Sequence, residues 1–280
     1  MRFFQQPAAE LLKRRLGINL GEWVRDRSDR EPMELDQLEQ WKAGTEILEH
    51  RLDELPALRS RELLRAMGLL PLGAAGDSLY EAIALDTDPI AAVARRLRVG
   101  SRLPNLALDL SLPTLRLVGQ LDRRWQAAMV RAQYGLVRAK HLLDAWIRHL
   151  ALCALHPDDQ AARTVLVGRP ERPGGARVCR LQSVSDADQR LDELARLYVA
   201  GQQRPLLLFP RASLAYVLAL REHKDEGEAR MAARAEWAGR TFGESEDPHL
   251  ARIFGDRDPL AEGFSLLDPQ DHTPMLGGDL

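Results

Sequence analysis

Apolar residues in the first hundred positions recur at the spacing of helices. Leu11, Leu12 and Leu16 share one helical face, and Pro7 interrupts the segment that carries them. The glycine-rich stretch 68–76 carries little charge, which favours a packed turn over a linker. Helices are predicted in this region over 2–16, about 37–52, about 58–67 and about 78–98.

After about residue 103 the apolar residues alternate with polar ones, which is the period of a β-strand. Leu106, Leu108 and Leu110, for example, are separated by Ala107 and Asp109. Strands are predicted over 106–110, 115–120, 128–134, 164–167 and 177–181. The clearest amphipathic pattern in the chain predicts a helix over about 139–155.

The last hundred residues return mainly to helical spacing. We predict a helix that carries Leu191 and Tyr198, a short buried strand or turn over Leu206–Phe209, and helices from about 211 to 239. The final forty residues are acidic and contain proline and glycine at intervals.

The order of helices, strands, helix, strands and helices indicates an α/β chain of the mixed α+β kind. We expect a central mixed sheet of about five strands flanked by helices, with a helical insertion near the N-terminus. We further expect a single domain over 1–280. Its parts would be a helical part over 1–100, a sheet core over 101–210, and a helical and acidic tail over 211–280.

The net charge of −2 conceals an uneven distribution. Residues 90–180 hold 16 Lys and Arg against 6 Asp and Glu, whereas the segments before and after have net charges of −5 and −7. The high ratio of arginine to lysine is typical of a GC-rich genome. The depletion of acidic residues in the same window instead indicates a surface for a polyanion or for an acidic partner.

Several classes of protein are excluded by what the sequence lacks. No stretch approaches the ~18 apolar residues that cross a membrane, and the N-terminus has no apolar signal core. Cys153 and Cys179 lie outside any CxxC motif, which suits a reducing cytoplasm. The phosphate-binding, dinucleotide-binding, zinc-protease and nucleophile-elbow motifs are all missing. We therefore expect a cytoplasmic protein with no cofactor and no bound metal.

One segment has the layout of a metal-dependent nuclease. A strand that ends at Asp122 is followed by a second strand and a long helix. Such enzymes need an acidic residue and a lysine, two positions apart, on the second strand, because carboxylates hold Mg²⁺ and the lysine steadies the attacking water. Residues 123–139 contain no Asp, Glu or Lys. Asp122 is therefore predicted to be the remnant of a metal site, or a turn residue.

Two basic clusters are candidates for contact with DNA. Arg123 and Arg124 lie beside Trp125 in a predicted hairpin turn, where two cations and an aromatic ring suit a phosphate and a stacked base. The competing interpretation is a solvated turn with Trp125 packed back on the protein. Arg169 and Arg172 flank a loop rich in proline and glycine and form the second cluster.

Short motifs spread over about residues 2–240 carry a resemblance to a known family. They are RFFQQP at 2–7, RLGI at 15–18, EPMELD at 31–36, GLLPLGAAG at 68–76, LDAWIRHL at 143–150 and QRPLLLFP at 203–210. Each is weak alone, but their order and spacing together resemble the C-terminal domain of RecC, the gamma subunit of exodeoxyribonuclease V.

The resemblance implies a restriction-endonuclease-like fold that has lost its active site. It also implies work in a helicase–nuclease complex that resects double-stranded DNA ends, with partners resembling RecB and RecD. There the domain would dock partner subunits and guide separated DNA strands. An isolated fragment is expected to expose apolar surface where partners bind, for which Phe3, Phe4, Leu206 and Phe209 are candidates, unless they belong to the core.

Two other functions stay open. The chain would be an active Mg²⁺-dependent nuclease if other carboxylates, such as Asp109 or Glu81, replaced the missing ligands. Alternatively, it would be a pure protein-docking module whose basic middle meets an acidic partner and never touches DNA.

Overall fold

The computed structural model describes residues 2–20, 37–156, 162–172, 174–239 and 243–261. The described helices are α1 (Arg2–Gln5), α2 (Pro7–Glu10), α3 (Gln37–Leu52), α4 (Ala57–Ala66), α5 (Gly73–Leu97), α6 (Ala139–Leu155), α7 (Ala187–Gly201), α8 (Pro210–Arg221), α9 (Glu226–Trp237) and α10 (Pro248–Phe254). The described strands are β1 (Leu106–Ser111), β2 (Arg116–Leu121), β3 (Met129–Leu136), β4 (Thr164–Arg169) and β5 (Arg177–Leu181).

The helices agree closely with the apolar periodicity. α3 and α6 have the predicted bounds, and the first helical segment breaks before Pro7 and continues through a π-helical turn over Leu11–Arg15. α5 begins at Gly73, so the second half of the glycine-rich stretch is helical and not part of the turn. The predicted span 211–239 is divided between α8 and α9.

All five predicted strands are present, but they form two sheets. β3 pairs with β4 in parallel and β4 pairs with β5 antiparallel, whereas β1 and β2 form a separate antiparallel hairpin. The expectation of one sheet of about five strands was therefore wrong. The chain turns sharply after β2, where Arg123 has a φ of 56°, and an isolated bridge pairs Arg124 of this turn with Met129 of β3. Residues 205–209 form no strand.

One compact unit comprises residues 24–191 and is built around the three-stranded sheet. β4 lies in the middle and is almost completely buried, because helices cover both of its faces. Val165 and Val167 pack into the core with α3, α4 and α5, while Leu166 points to the opposite face, where it meets Ala145 of α6. The helices that we expected to be an insertion therefore form the layer on one face of the sheet.

The other compact unit comprises residues 1–23 and 192–280. Its core is aromatic: the ring centroid of Phe209 lies 4.5 Å from that of Trp237 and 5.5 Å from that of Phe254. Phe3 packs edge-on against Tyr198 of α7 at 5.0 Å. The single domain expected over the whole chain stays a prediction.

No helix in the described part of the chain is both long enough and apolar enough to cross a membrane.

Candidate nucleic-acid interface

The turn between β2 and β3 holds the first predicted cluster of DNA contacts. Its shape is set by the backbone: the Val130 N–H donates to the Arg123 carbonyl at 3.0 Å, and the Trp125 N–H donates to the Ala128 carbonyl at 2.9 Å. The side chain of Arg123 is turned to Glu49 of α3, at 2.7 Å. Arg123 therefore anchors the turn on the helical layer.

Trp125 is half-buried against the core that α3, α4 and α5 form on the sheet. The guanidinium carbon of Arg98 lies 4.4 Å from the centre of its ring, and that of Arg102 lies 5.9 Å away. These are cation–π distances. The arrangement agrees with a Trp125 that packs back on the protein, and a base stacking on the covered face would have to displace Arg98.

Sequence reasoning missed Arg98 and Arg102 as members of this site. The run of arginines near the end of α5 is visible in the sequence. Cations near a helix C-terminus are favoured by the helix dipole, however, and this explains the run without a binding site. In the structure Arg98 donates to the Leu52 carbonyl at 3.2 Å. Burial lowers the pKa of Arg98, and the nearby charges of Arg123 and Arg102 act in the same direction, while Glu49 opposes them.

Asp122 lies at the end of β2 in a ring of alternating charges. Arg131 of β3 donates to its Oδ1 at 2.8 Å, and Arg148 of α6 approaches the same oxygen at 3.8 Å. Both guanidinium groups also approach Asp144 of α6, Arg148 at 3.0 Å and Arg131 at 3.8 Å. Two carboxylates are thus held together by two arginines, and this ring joins the hairpin, the sheet and α6.

The ring keeps Asp122 ionised. Burial by itself would raise the pKa of Asp122, but the charge and hydrogen bond of Arg131, with the charge of Arg148, bring it below its ordinary value. Burial lowers the pKa of Arg131, and the repulsion of Arg148 adds to that effect. The Oδ1 atom of Asp122 thus accepts a hydrogen bond from a guanidinium group.

The carboxylates named as alternative ligands lie elsewhere. Asp109 pairs with Arg116 across the hairpin. It lies opposite Val118, which is four residues from Asp122, a distance of ~13 Å at the rise of a strand. Glu81 of α5 pairs with Arg61 of α4 at 3.1 Å. Within the described ranges, no group of three or more His, Cys, Asp or Glu side chains is placed to hold a metal ion.

The second predicted cluster lies at the other end of the sheet. The turn of Trp125 precedes β3, whereas Arg169 ends the parallel strand β4, so roughly 20 Å of strand separates the two. Arg169 pairs with Asp86 at 3.0 Å and lies 5.7 Å from the ring centre of Tyr134. Arg172 is exposed. The fold therefore does not combine the predicted DNA contacts into one site, and their roles stay predictions.

Most of the apolar residues proposed as partner contacts are buried. Phe3, Phe4 and Phe209 are only 4%, 7% and 1% exposed, and Leu206 is half-buried. The three phenylalanines therefore belong to the core of their own unit, which is the alternative that the sequence left open, and their role as partner contacts stays a prediction. The strongly exposed large apolar residues include Leu85 and Met231, which are on helices, and Val118, which is on β2.

A family model of the RecC C-terminal domain matches residues 1–221. The chain belongs to this family. The match ends with the last residue of α8, so the Trp125 turn and the ring of Asp122 both lie inside the RecC C-terminal region. The resemblance inferred from the short motifs is confirmed.

Individual RecC proteins also match most of the chain. The RecBCD enzyme subunit RecC of Mycolicibacterium smegmatis is 31% identical over 254 residues, which are 89% of this chain and 23% of the relative. RecC of Mycobacterium tuberculosis is 27% identical over 92% of this chain and 23% of its own length. RecC of Escherichia coli is 24% identical over 77% of this chain and 18% of its own length. The chain spans about a quarter or less of the length of these relatives.

Proposed function

We propose that this chain is a non-catalytic domain of a helicase–nuclease subunit that acts in the repair of double-strand DNA ends. It docks partner subunits that resemble RecB and RecD, and it guides separated DNA strands. Membership of the RecC C-terminal family supports this role, since the matching relatives are named as subunits of the RecBCD enzyme.

The hydrogen bond from Arg131 to Asp122 is the observation that carries the non-catalytic assignment. A nuclease of this layout needs a carboxylate free to bind Mg²⁺ and a second acidic ligand on the following strand. On β3 the basic side chain of Arg131 instead reaches Asp122 at 2.8 Å. A guanidinium carries the positive charge that a metal would supply, and it activates no water.

The cations around Trp125 support DNA contact at the turn. Arg102 is exposed, and Arg124 donates only to the Pro104 carbonyl, at 3.2 Å, among its described contacts. Neither has an ion pair with a described acidic residue, so both charges are available to phosphates. Contacts of this kind position a nucleic-acid backbone without reading its sequence. The site therefore suits strand guidance.

A cleavage assay tests the non-catalytic assignment. The protein, incubated with linear double-stranded or single-stranded DNA and Mg²⁺ or Mn²⁺, is expected to leave the DNA intact. Cleavage that disappears in the Asp122→Ala variant would overturn the assignment and favour the active-nuclease alternative.

A binding assay tests DNA contact at the turn. The R102E/R124E variant is compared with R221E/R252E, which changes the charge equally at two exposed arginines of α8 and α10. We expect R102E/R124E to bind forked DNA at least 10-fold more weakly than R221E/R252E does. The slope of log affinity against log salt should fall by roughly 0.7 for each lost phosphate contact. Equal binding by both variants would instead favour the pure docking module.

A further inference from the structure

Strand β5 forms an open edge of the three-stranded sheet. It pairs with β4 alone, through five residue pairs that run from Thr164 opposite Leu181 to Gly168 opposite Arg177. On its other side, no described backbone group hydrogen-bonds to β5. Such an edge presents a row of unpaired N–H and C=O groups, which can pair with another extended chain.

The strand is held firmly from both faces, so its edge is preorganised. Cys179 and Leu181 pack against the core beneath α6, and Val178 packs on the opposite face, against the core with α3 and α5. Because the side chains are already anchored, a new strand would meet a backbone whose conformation is set, and less ordering free energy is lost on binding.

The charges of β4, β5 and the loop between them are almost all positive. Residues 162–182 contain five arginines and a single acidic residue, Glu171. Arg177 pairs with Glu171 at 3.4 Å, and Arg169 pairs with Asp86. Arg172, in the loop before β5, and Arg180, within the strand, are exposed and have no ion pair among the described residues. Two uncompensated cations therefore flank the open backbone.

We propose that β5 binds an extended acidic segment of a partner protein, which adds to the sheet as a further strand. The backbone of the segment would pair with the outer edge of β5 over about five residues, or ~17 Å, and its carboxylates would pair with Arg172 and Arg180. This inference rests on the partner-docking part of the proposed function and is independent of the DNA contact at Trp125.

Other occupants fit this edge less well. A second copy of the chain would place a second, equally basic edge beside this one, and repulsion between the unpaired arginines opposes that pairing. DNA would satisfy the arginines, but it has no peptide backbone to continue the ladder. Both occupants are outcomes of the test below.

The test uses the peptide Val-Glu-Val-Asp-Val-Glu-Val-amide, labelled with a fluorophore at its N-terminus, and the full chain. Binding is expected to slow hydrogen exchange of the β5 amides. Two further peptides carry N-methyl groups on alternate residues, one peptide at the odd positions and the other at the even positions. Each peptide therefore lacks the N–H donors on one side of the strand. At least one of them is expected to lose binding. Undiminished binding by both would show that charge alone is recognised and would overturn the proposal.

Charge variants supply the second arm. The R172E/R180E variant is expected to bind the acidic peptide at least 10-fold more weakly than the R221E/R252E control, and to prefer a peptide with Lys at the acidic positions. Undiminished binding of the acidic peptide to R172E/R180E, or protection at amides outside β5, would overturn the proposal.

Two further outcomes distinguish the occupants. Self-association of the free chain that protects β5 in sedimentation and exchange experiments would identify a second copy. Protection of β5 by oligo(dT), lost in R172E/R180E, would identify DNA, and either result would overturn the acidic-segment proposal. The R102E/R124E variant is expected to bind the peptide like the unmodified chain, so a failure of the DNA proposal and a failure of this one give different patterns.

Discussion

Arg131 donates a 2.8 Å hydrogen bond to Asp122, and its guanidinium also lies 3.8 Å from Asp144. One arginine of β3 thereby connects the end of the hairpin to α6. Its side chain is 20% exposed, and those of Asp144 and Arg148 are 19% and 21% exposed. At such partial burial an ion-pair network is shielded less from salt than exposed pairs are.

Replacement of Arg131 by methionine is expected to destabilise the protein by about 1–3 kcal/mol, between the values typical of exposed and of buried pairs. The change leaves two carboxylates with Arg148 as their remaining shared cation. Urea unfolding measures the loss.

The Arg116→Met variant is the matched control, since it removes an exposed pair with Asp109 and should change stability little. If the two variants lose equal stability, the ring has no special structural role.

Gly44 of α3 lies directly against the ring of Tyr134 in β3, and a Cβ atom at Gly44 would overlap that ring. Helix propensity alone predicts that Gly44→Ala stabilises the protein by about 1 kcal/mol. The close approach predicts the opposite sign, a loss of about 1–3 kcal/mol from overpacking. Thermal or urea unfolding decides between them.

A second substitution checks the cause of this effect. Tyr134→Leu shortens the side chain that Gly44 meets, so the Gly44→Ala change should be less harmful in that background. An unchanged penalty would assign the effect to another contact.

His141 near the start of α6 is expected to make stability depend on pH. Its Nδ1 accepts hydrogen bonds from the Gln133 side chain at 2.8 Å and from the Arg138 N–H at 3.1 Å. Burial, with the charges of Lys140 and Arg138, lowers the pKa of His141 to about 4 from 6.5. Because the folded pKa is the lower one, stability is complete above pH ~6.5 and is lost as the pH falls toward 4.

His141→Asn is expected to reduce this loss, because the amide oxygen can accept the same hydrogen bonds and does not titrate. Urea unfolding at several pH values between 4 and 7 measures the slope, to which one histidine contributes at most about 1.4 kcal/mol per pH unit. Some slope should remain, since burial also lowers the pKa of His149. Identical slopes in both proteins would contradict the assignment.

Glu244 lies far from α8 in the sequence but is expected to stabilise that helix by direct contact. Its two carboxylate oxygens accept from the N–H groups of Arg211 and Ala212 at 3.0 and 2.9 Å, and so cap the first turn of α8 in place of a local side chain. Glu244→Ala should cost about 1–2 kcal/mol, as the loss of an N-cap does. Glu246→Ala, in the same short turn but exposed, is the control and should be neutral.

The same residue has a second signature in pH. Burial raises the pKa of Glu244, so its ionisation is less favourable in the folded protein. The stability that this group contributes therefore falls as the pH rises from the ordinary pKa of a glutamate through the raised pKa of Glu244. Glu244→Gln should remove that part of the pH dependence, and an unchanged profile would contradict the assignment.

The sequence predicted parts of the candidate site correctly and could not predict others. Asp122 directly follows β2, and the absence of an acid and lysine pair on β3 was visible from residue types alone. Its pairing with Arg148 was not visible, since it depends on how α6 packs against the sheet. Arg98 over Trp125 was missed for the same reason, because 27 residues of chain separate the two.

The sequence by itself determined the positions of α3, α6 and the five strands, and it determined membership of the RecC C-terminal family. These features depend on local periodicity and on the order of short motifs, which can be read along one dimension. Only the tertiary structure decided that the strands divide into two sheets, that Phe3, Phe4 and Phe209 are buried, and that β5 is an open edge. Each of these depends on which distant segments meet, and strand pairing and burial are properties of the packed chain.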